Sequence, residues 1–233
     1  MFTFPTPLIQ GSFQTRYKRF LADIKLPENK VITAHCANTG AMTSCYYPDC
    51  TVFLSKSDNP KRKLAYSWEL STDLHGNLIC VNTSIANRFV ENVLKEGKIS
   101  EFQAYSYIRR EVKFEDSRLD FLIEDEKSNY LYLEVKSVTL ADSHGSKFPD
   151  AKTVRGLKHS LSLIKAKQKG FDACLVYVIM RNGQDTFRLA SDVDPIYTAS
   201  VKELVNFGIK ILVIYTKITP QSIEVSNYIL INH

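Results

Sequence analysis

Three charged residues, Asp120, Glu134 and Lys136, have the types and the spacing of a metal-dependent hydrolytic site. Asp120 lies in one strand-like segment, and Glu134 and Lys136 follow in the next, the glutamate fourteen positions after the aspartate. Successive strand residues point to opposite faces, so Glu134 and Lys136 share a face while their apolar neighbours take the other. The polar, turn-prone residues 125–129 predict a hairpin that brings Asp120 beside Glu134.

Two carboxylates that lie close together need a cation to relieve their repulsion. Oxygen-only ligation suits Mg²⁺ or Mn²⁺, which keep several waters and accept phosphate oxygens from a substrate. Such an ion polarises a scissile phosphate and lowers the pKa of a bound water, while the Lys136 ammonium orients that water or stabilises developing charge. The alternative for an isolated Glu-x-Lys is a surface ion pair on an ordinary hairpin, because exposed pairs are common and weak.

The elements around the hairpin follow the order helix, three strands, helix, strand. Apolar periodicity predicts helices over residues 84–96, 151–169 and 195–207, and strands over residues 105–114, 174–179 and 209–215. In the second helix, the predicted buried face consists of Val154, Leu157, Leu161 and Ile164. Together these elements predict an α/β sheet.

This order, with an acid on the second strand and Glu-x-Lys on the third, resembles the core of the PD-(D/E)xK nuclease superfamily. Leu119 stands where the motif has proline, which removes no ligand. Further segments narrow the resemblance to the sugar fermentation stimulation protein A family of bacteria and archaea. These segments cover nearly the whole chain: RYKRFLAD (16–23), HCANTGAM (35–42), SDNPKRK (57–63), CVNT (80–83), EVKSVTL (134–140) and FPDA (148–151), followed by Arg155-Gly156 and Lys158-His159.

The resemblance implies two domains in an α/β protein. The first, over residues 1–80, is an OB-like β-barrel, and the second, over residues 81–233, is a PD-(D/E)xK nuclease-like αβββαβ domain. The family also implies binding of nucleic acid without marked sequence preference.

The resemblance also assigns roles at the site. Asp120, Glu134 and Lys136 become the catalytic residues, and the expected metal ligands are Asp120, Glu134 and the Val135 carbonyl. Many such nucleases add an upstream acid, for which Glu111 on the first core strand is favoured over Glu91 on the preceding helix.

Basic residues interleaved with aromatic ones mark candidate surfaces for phosphates and bases. Two clusters lie in the first domain: Arg16, Tyr17, Lys18 and Arg19, and the loop residues Lys61, Arg62 and Lys63. In the second domain, Arg155 and His159 lie four residues apart on one helix face, a spacing suited to binding the phosphate backbone. For each cluster a solvated surface is the alternative, because a net charge of +5 is mild for a nucleic-acid binder.

Two loops have open roles. Asn38-Thr39-Gly40 predicts a tight turn, which is favoured over a phosphate-binding loop because no full glycine-rich motif surrounds it. Lys147 and Phe148-Pro149-Asp150 lie between Lys136 and the second helix, where substrate-lining residues are expected.

Composition is consistent with this architecture and indicates the cellular compartment of the protein. A chain of 233 residues with 44% apolar content can form two folded cores. No apolar run has the length of a membrane span, and the first residues lack the pattern of a signal peptide, which predicts a cytoplasmic protein with no membrane partner. Five cysteines without a C-x-x-C pair predict reduced, mostly buried thiols rather than a zinc site at His35, Cys36, Cys45 and Cys50.

Two classes of function compete. The first is a metal-dependent nuclease acting on DNA or RNA, and the second is a non-enzymatic DNA-binding regulator of sugar metabolism that keeps the nuclease fold. The acid–acid–lysine set favours the nuclease, because a pure binder has no need to gather carboxylates beside a polyanion. The expected partners are DNA, then RNA, with a second copy of the chain in a homodimer as an open alternative.

Overall fold

The computed structural model describes residues 1–231 of the chain. Its helices are α1 (Ser84–Lys95), α2 (Val154–Gln168) and α3 (Pro195–Asn206), with a short 3₁₀ helix at Ser100–Phe102. Its strands, in chain order, are β1 (Phe2–Thr3), β2 (Ile9–Tyr17), β3 (Leu21–Lys25), β4 (Val31–Cys36), β5 (Thr51–Lys56), β6 (Tyr66–Thr72), β7 (Leu78–Cys80), β8 (Tyr105–Phe114), β9 (Ser117–Asp125), β10 (Tyr130–Val138), β11 (Ala141–Asp142), β12 (Gly145–Phe148), β13 (Asp172–Ile179), β14 (Phe187–Leu189), β15 (Lys210–Ile218) and β16 (Ser222–Ile231). The predicted helices and core strands are confirmed, with ends shifted by a few residues. Within residues 1–231, no helix is long and apolar enough to cross a membrane.

The first sheet closes into a five-stranded barrel. Its strands follow the order β4-β3-β2-β5-β6, and β4 closes the barrel by pairing in parallel with β6, where Cys36 lies opposite Trp68. Alternate residues point inward, and buried side chains such as Phe13, Ile24 and Trp68 fill the interior. This arrangement confirms the predicted OB-like barrel. The five cysteines of the chain are all buried free thiols.

The second sheet has seven strands in the order β1-β16-β15-β13-β10-β9-β8. Strands β10, β13 and β15 run parallel, while β8, β9 and β10 form an antiparallel meander. Helix α1 packs on one face of the sheet, and α2 and α3 pack on the other, so the sheet lies between two apolar layers. This is the predicted nuclease-like α/β domain.

The predicted hairpin is formed by β9 and β10. Its two strands pair from Tyr130 opposite Glu124 to Leu133 opposite Phe121. Along β10 the side chains alternate, and Leu131, Leu133 and Val135 lie in the apolar core on the α1 face. Glu134 and Lys136 therefore project toward the opposite face, which α2 covers.

The predicted buried face of α2 is only partly confirmed. Ile164 is buried and Leu157 is half-buried, but Val154 is 85% exposed and Leu161 is 45% exposed. The buried side of the helix also carries Gly156, His159, Ser160 and Leu163. The apolar period misleads here because the buried side includes small and polar residues. A side chain at Gly156 would approach Tyr197 of α3, and His159 is buried by its contact with Glu134.

Several short or edge elements have no counterpart in the predicted fold. Strand β1 pairs with β16 in the second sheet, although residues 1–80 are assigned to the barrel from the sequence. Strands β11, β12 and β14 form a small separate sheet. Strands of two to four residues are too short to show a period of two, and β16 mixes apolar and polar residues as an outer strand does.

Candidate active site

The Glu-x-Lys pair forms a buried charge cluster with His159. Glu134 is only 2% exposed, and the Lys136 ammonium donates a hydrogen bond to Glu134 Oε1 at 2.5 Å. His159 Nδ1, presented by α2, contacts the same oxygen. Because an ionised carboxylate can only accept, the Nδ1 atom of His159 carries the shared hydrogen. One carboxylate oxygen is thus held from two sides.

Asp120 lies beside this cluster at the point where the β9–β10 ladder stops. Its Oδ2 atom accepts a hydrogen bond from the backbone N–H of Val135 at 2.8 Å, in place of a ladder carbonyl. Its Oδ1 atom accepts a hydrogen bond from Asn87 Nδ2 of α1 at 2.7 Å. The aspartate is therefore fixed between the helix and the strand that carries Glu134.

The two carboxyl groups differ in proton affinity. Burial, and then the negative charge of Glu134, raises the pKa of Asp120 to about 6. Burial also acts to raise the pKa of Glu134, but the charge of Lys136 and the hydrogen bond from His159 outweigh it and hold the pKa below its ordinary value. Glu134 is thus the ionised partner at neutral pH, while Asp120 titrates close to neutrality.

One oxygen of the cluster suits a metal ion. Within residues 1–231, Glu134 Oε2 is buried and has no hydrogen-bond partner. A buried carboxylate oxygen without a donor is costly, and a hard divalent cation would satisfy it. The donor set of Asp120, Glu134 and nearby backbone carbonyls consists of oxygen atoms, so the residues present fit Mg²⁺ or Mn²⁺.

The predicted upstream acid is not gathered into this cluster. Glu111 is exposed, and it lies between the β8–β9 pairs Arg110–Phe121 and Val112–Leu119, which is the level of Asp120 in the ladder. Its φ of 51° is a left-handed conformation of the kind that clusters at functional sites. Across residues 1–231, no three His, Cys, Asp or Glu side chains are arranged to hold a metal.

Glu91, the other candidate, is engaged elsewhere. Its carboxylate forms ion pairs with Lys95 at 2.7 Å and with Arg110 at 3.0 Å. It therefore links α1 to β8 on the outside of the domain.

The cluster lies under a cleft between the two domains with a volume of about 450 Å³. Asn87, Val135 and Lys136 line its floor. The walls are formed by residues 38–40 of the barrel and residues 147–153 of the second domain. Three exposed cations also line the cleft, namely Arg19, Lys152 and Arg155. A positively charged cleft above two carboxylates is suited to a phosphate-containing substrate.

The first predicted nucleic-acid cluster divides into two pairs. Arg16 binds backbone carbonyls of Asn38, Gly40 and Arg19 through its guanidinium, and Tyr17 donates to the Asp23 carboxylate. These two side chains hold the barrel loops. Lys18 and Arg19 form the exposed β2–β3 turn, and Arg19 faces the cleft.

The other predicted contacts lie in different surroundings. Lys61, Arg62 and Lys63 are exposed on the β5–β6 loop and do not line the cleft, although Arg62 also binds Ser67 Oγ at 3.0 Å. Arg155 is exposed in the cleft. His159 is buried against Glu134, so its position differs from that of an exposed phosphate ligand.

Sequence reasoning missed Asn87, which is the α1 residue that holds Asp120. A signal exists, since Asn87 lies one helical turn before Glu91, but an amide carries no charge that would single it out. The predicted Asn38-Thr39-Gly40 turn is confirmed, because Asn38 Oδ1 accepts a hydrogen bond from the Gly40 N–H at 2.8 Å. The same turn also lines the cleft.

Comparison with known proteins agrees with this two-domain architecture. A family model for the SfsA N-terminal OB domain matches residues 15–81, and one for the sugar fermentation stimulation protein RE domain matches residues 84–222. A sugar fermentation stimulation protein homolog from Ruegeria sp. (strain TM1040) is 43% identical over 96% of this chain and 97% of the relative. A homolog from Aeromonas salmonicida (strain A449) is 41% identical over 97% of this chain and 94% of the relative.

A solved structure has the same fold. The structure of Pyrococcus furiosus SfsA in complex with Ca²⁺ superimposes with a TM-score of 0.87 at 24% identity, and covers 98% of this chain and 97% of that one. Both family models, the curated relatives and this structure agree along nearly the full length. The chain therefore belongs to the sugar fermentation stimulation protein (SfsA) family.

Proposed function

We propose that the protein is a divalent-metal-dependent nuclease that hydrolyses phosphodiester bonds in DNA or RNA with little sequence preference. The observation that carries this proposal is the convergence of Asp120 and Glu134 with Lys136, which lines the floor of a cation-lined cleft. Carboxylates beside a phosphate-binding surface oppose binding of a polyanion unless they hold a metal. The arrangement therefore favours catalysis over binding alone.

Asp120, Glu134 Oε2 and the Val135 carbonyl would hold Mg²⁺ or Mn²⁺, without Glu111, which is exposed outside the cluster. When bound, the cation supplies Lewis-acid activation of the phosphate and of a water. The Pyrococcus furiosus relative is described in complex with Ca²⁺, which shares this preference for oxygen ligands.

The side chains around the carboxylates then have separate tasks. Lys136 places a positive charge where negative charge develops on the phosphate, or orients the attacking water. His159 and Lys136 both hold Glu134 Oε1, which leaves Oε2 free for the metal, and Asn87 holds Asp120. Arg19 and Arg155 bind phosphates along the cleft, independently of base sequence.

The test is a cleavage assay on labelled single- and double-stranded DNA and RNA with Mg²⁺, Mn²⁺ or EDTA. We expect cutting that requires metal and that disappears in the Asp120→Asn and Lys136→Ala variants. Cleavage by Asp120→Asn at the parent rate would assign the activity to another site or to a contaminant.

One observation favours a second function, a non-enzymatic nucleic-acid-binding regulator. Both oxygens of Asp120 accept hydrogen bonds, and Lys136 and His159 both contact Glu134 Oε1, so the cluster is satisfied in part without metal. A folded parent that binds nucleic acid but cuts none with any metal would establish this alternative.

A further inference from the structure

A loop of the barrel crosses the cleft and is attached to the second domain at three places. We call residues 37–45 the strap. At its start, the Ala37 carbonyl accepts a hydrogen bond from Thr83 Oγ1 at 2.7 Å, just before α1. In its middle, the Met42 N–H donates to Asp150 Oδ2 at 3.3 Å. Near its end, Ser44 Oγ accepts a hydrogen bond from the Ala141 N–H at 3.0 Å.

The strap spans the cleft, because Thr83 and Asp150 are themselves cleft-lining residues. Between these two anchors, Asn38, Thr39 and Gly40 also line the cleft. At Gly40 the strap touches the opposite wall, since a Cβ atom there would lie 2.2 Å from Asp150 Oδ2. The barrel wall and the second-domain wall of the cleft are therefore in contact at Gly40.

The side chain of Arg16, from the barrel, supports the strap. The Arg16 guanidinium donates to the carbonyls of Asn38 at 2.8 Å and Gly40 at 3.1 Å. Asn38 is buried, and its side chain closes the turn onto the Gly40 N–H. Main-chain carbonyls held by a half-buried guanidinium, in addition to three anchors, make this segment a fixed wall.

The cleft, which is open to solvent on one side, has the volume of a small-molecule site. About 450 Å³ lies in the lower half of the range of roughly 300–1,000 Å³ that ligand pockets cover. A duplex is stiff over about 50 nm, so it does not bend locally into such a space. Delivering one duplex nucleotide to the floor requires unpairing, which costs a few kcal/mol.

Cations lie on both walls of the cleft. Arg19 belongs to the barrel side, while Lys152 and Arg155 belong to the second domain. Phe20, next to Arg19 in the chain, does not line the cleft itself, but its ring is 47% exposed and can stack on a base that leaves the cleft on this side. A basic groove with aromatic rings is how single strands are bound without sequence preference.

We infer that the cleft accepts a single strand of nucleic acid, passing between the strap and the second domain, and that intact duplex is excluded. This inference rests on the proposed function and names its substrate class. Free single strands and single-stranded tails of a duplex are then substrates, whereas a blunt duplex is not.

One labelled sequence, prepared as a single strand, a blunt duplex and a duplex with a single-stranded tail, tests the inference. Binding is followed by anisotropy in EDTA, and cleavage is followed on gels with Mn²⁺. We expect the single strand to bind and be cut at least about tenfold better than the blunt duplex, with cuts in tailed duplexes confined to the tail.

A matched pair of variants examines the barrel wall. Arg19 has a φ of 65°, which asparagine tolerates, so Arg19→Asn removes the charge without disturbing the turn. Lys30→Asn removes an exposed charge beyond the other end of β3. Arg19→Asn should weaken single-strand binding and reduce its salt slope by about one, whereas Lys30→Asn should leave both unchanged.

The outcomes separate the two proposals. Preferential binding of the single strand in EDTA with no cutting by any metal would remove the nuclease and keep the inference. A blunt duplex that binds or is cut as well as the single strand would overturn the inference and leave the nuclease in place. Equal effects of Arg19→Asn and Lys30→Asn, or no measurable binding of the single strand, would also overturn it.

Discussion

Replacing Asp120 with Asn should stabilise the folded protein while it abolishes metal binding. Burial and the charge of Glu134 raise the pKa of Asp120 to about 6, compared with 3.8 for an ordinary aspartate. At about 1.4 kcal/mol for each tenfold change in proton affinity, ionised Asp120 destabilises the fold by up to ~3 kcal/mol. An Asn side chain has no charge to bury, and Asn87 can turn its amide so that both hydrogen bonds survive.

The effect depends on pH with a definite sign. The folded protein binds the Asp120 proton more tightly than the unfolded chain, so this group's stabilising effect is complete below about pH 4 and is lost as the pH rises through about 6. Asp120→Asn should therefore match the parent near pH 4 and exceed it above pH 7 by about 1–3 kcal/mol. For a chain of this length, each kcal/mol corresponds to a shift in Tm of about 2–4 °C.

Thermal unfolding in EDTA across this pH range, repeated with Mn²⁺, measures both parts of the prediction. Metal at a hundredfold excess over Kd should stabilise the parent by about 2.7 kcal/mol and leave Asp120→Asn unchanged. Glu124→Gln, which changes another acid of β9, is the matched control and should follow the parent in both respects. If Asp120→Asn is less stable than the parent at pH 8 in EDTA, the carboxylate stabilises the fold and the reasoning is refuted.

The remaining predictions concern neighbouring charges. Lys136→Ala should keep or tighten Mn²⁺ binding, measured by calorimetry, because a nearby positive charge is lost. The same variant should lower the cleavage rate by about two or more powers of ten. If metal binding and cleavage are lost in parallel, Lys136 is a structural residue. His159→Gln should weaken Mn²⁺ affinity by about 10–100-fold, as expected for a group that orients a metal ligand, and unchanged affinity would contradict that role. Replacing Lys61, Arg62 and Lys63 together with Ala should weaken binding to all sequences alike in salt titrations, whereas loss for one sequence would indicate base readout.

The hairpin could be predicted because it depends only on residues that are close together in the sequence. Alternation along a strand puts Glu134 and Lys136 on one face wherever the strand lies, and a short polar turn returns Asp120 to them. The long core strands were equally visible, since a run such as β13 is apolar on both faces.

The missed parts of the site depend on tertiary contacts. His159 lies on a helix whose apolar residues only partly predicted the buried face, and its own burial follows from contact with Glu134 and not from hydrophobicity. Asn87 becomes important only when α1 packs over Asp120. The sequence predicts Arg16 as a phosphate ligand, but its guanidinium donates hydrogen bonds to backbone carbonyls of the strap.

Because of strand β1, the second domain is expected to be soluble only when the residues before the barrel are present. Phe2 and Thr3 pair with Ile223 and Ser222 of β16, and Phe2 and Phe4 lie in the core beneath α1. A fragment cut at residue 81 would lose this strand and uncover the β16 edge and its apolar neighbours. Exposed strand edges promote aggregation, so truncation of the first domain should yield insoluble material even though the nuclease motif lies entirely downstream. The second domain is thus discontinuous in sequence, with the barrel inserted after its first strand.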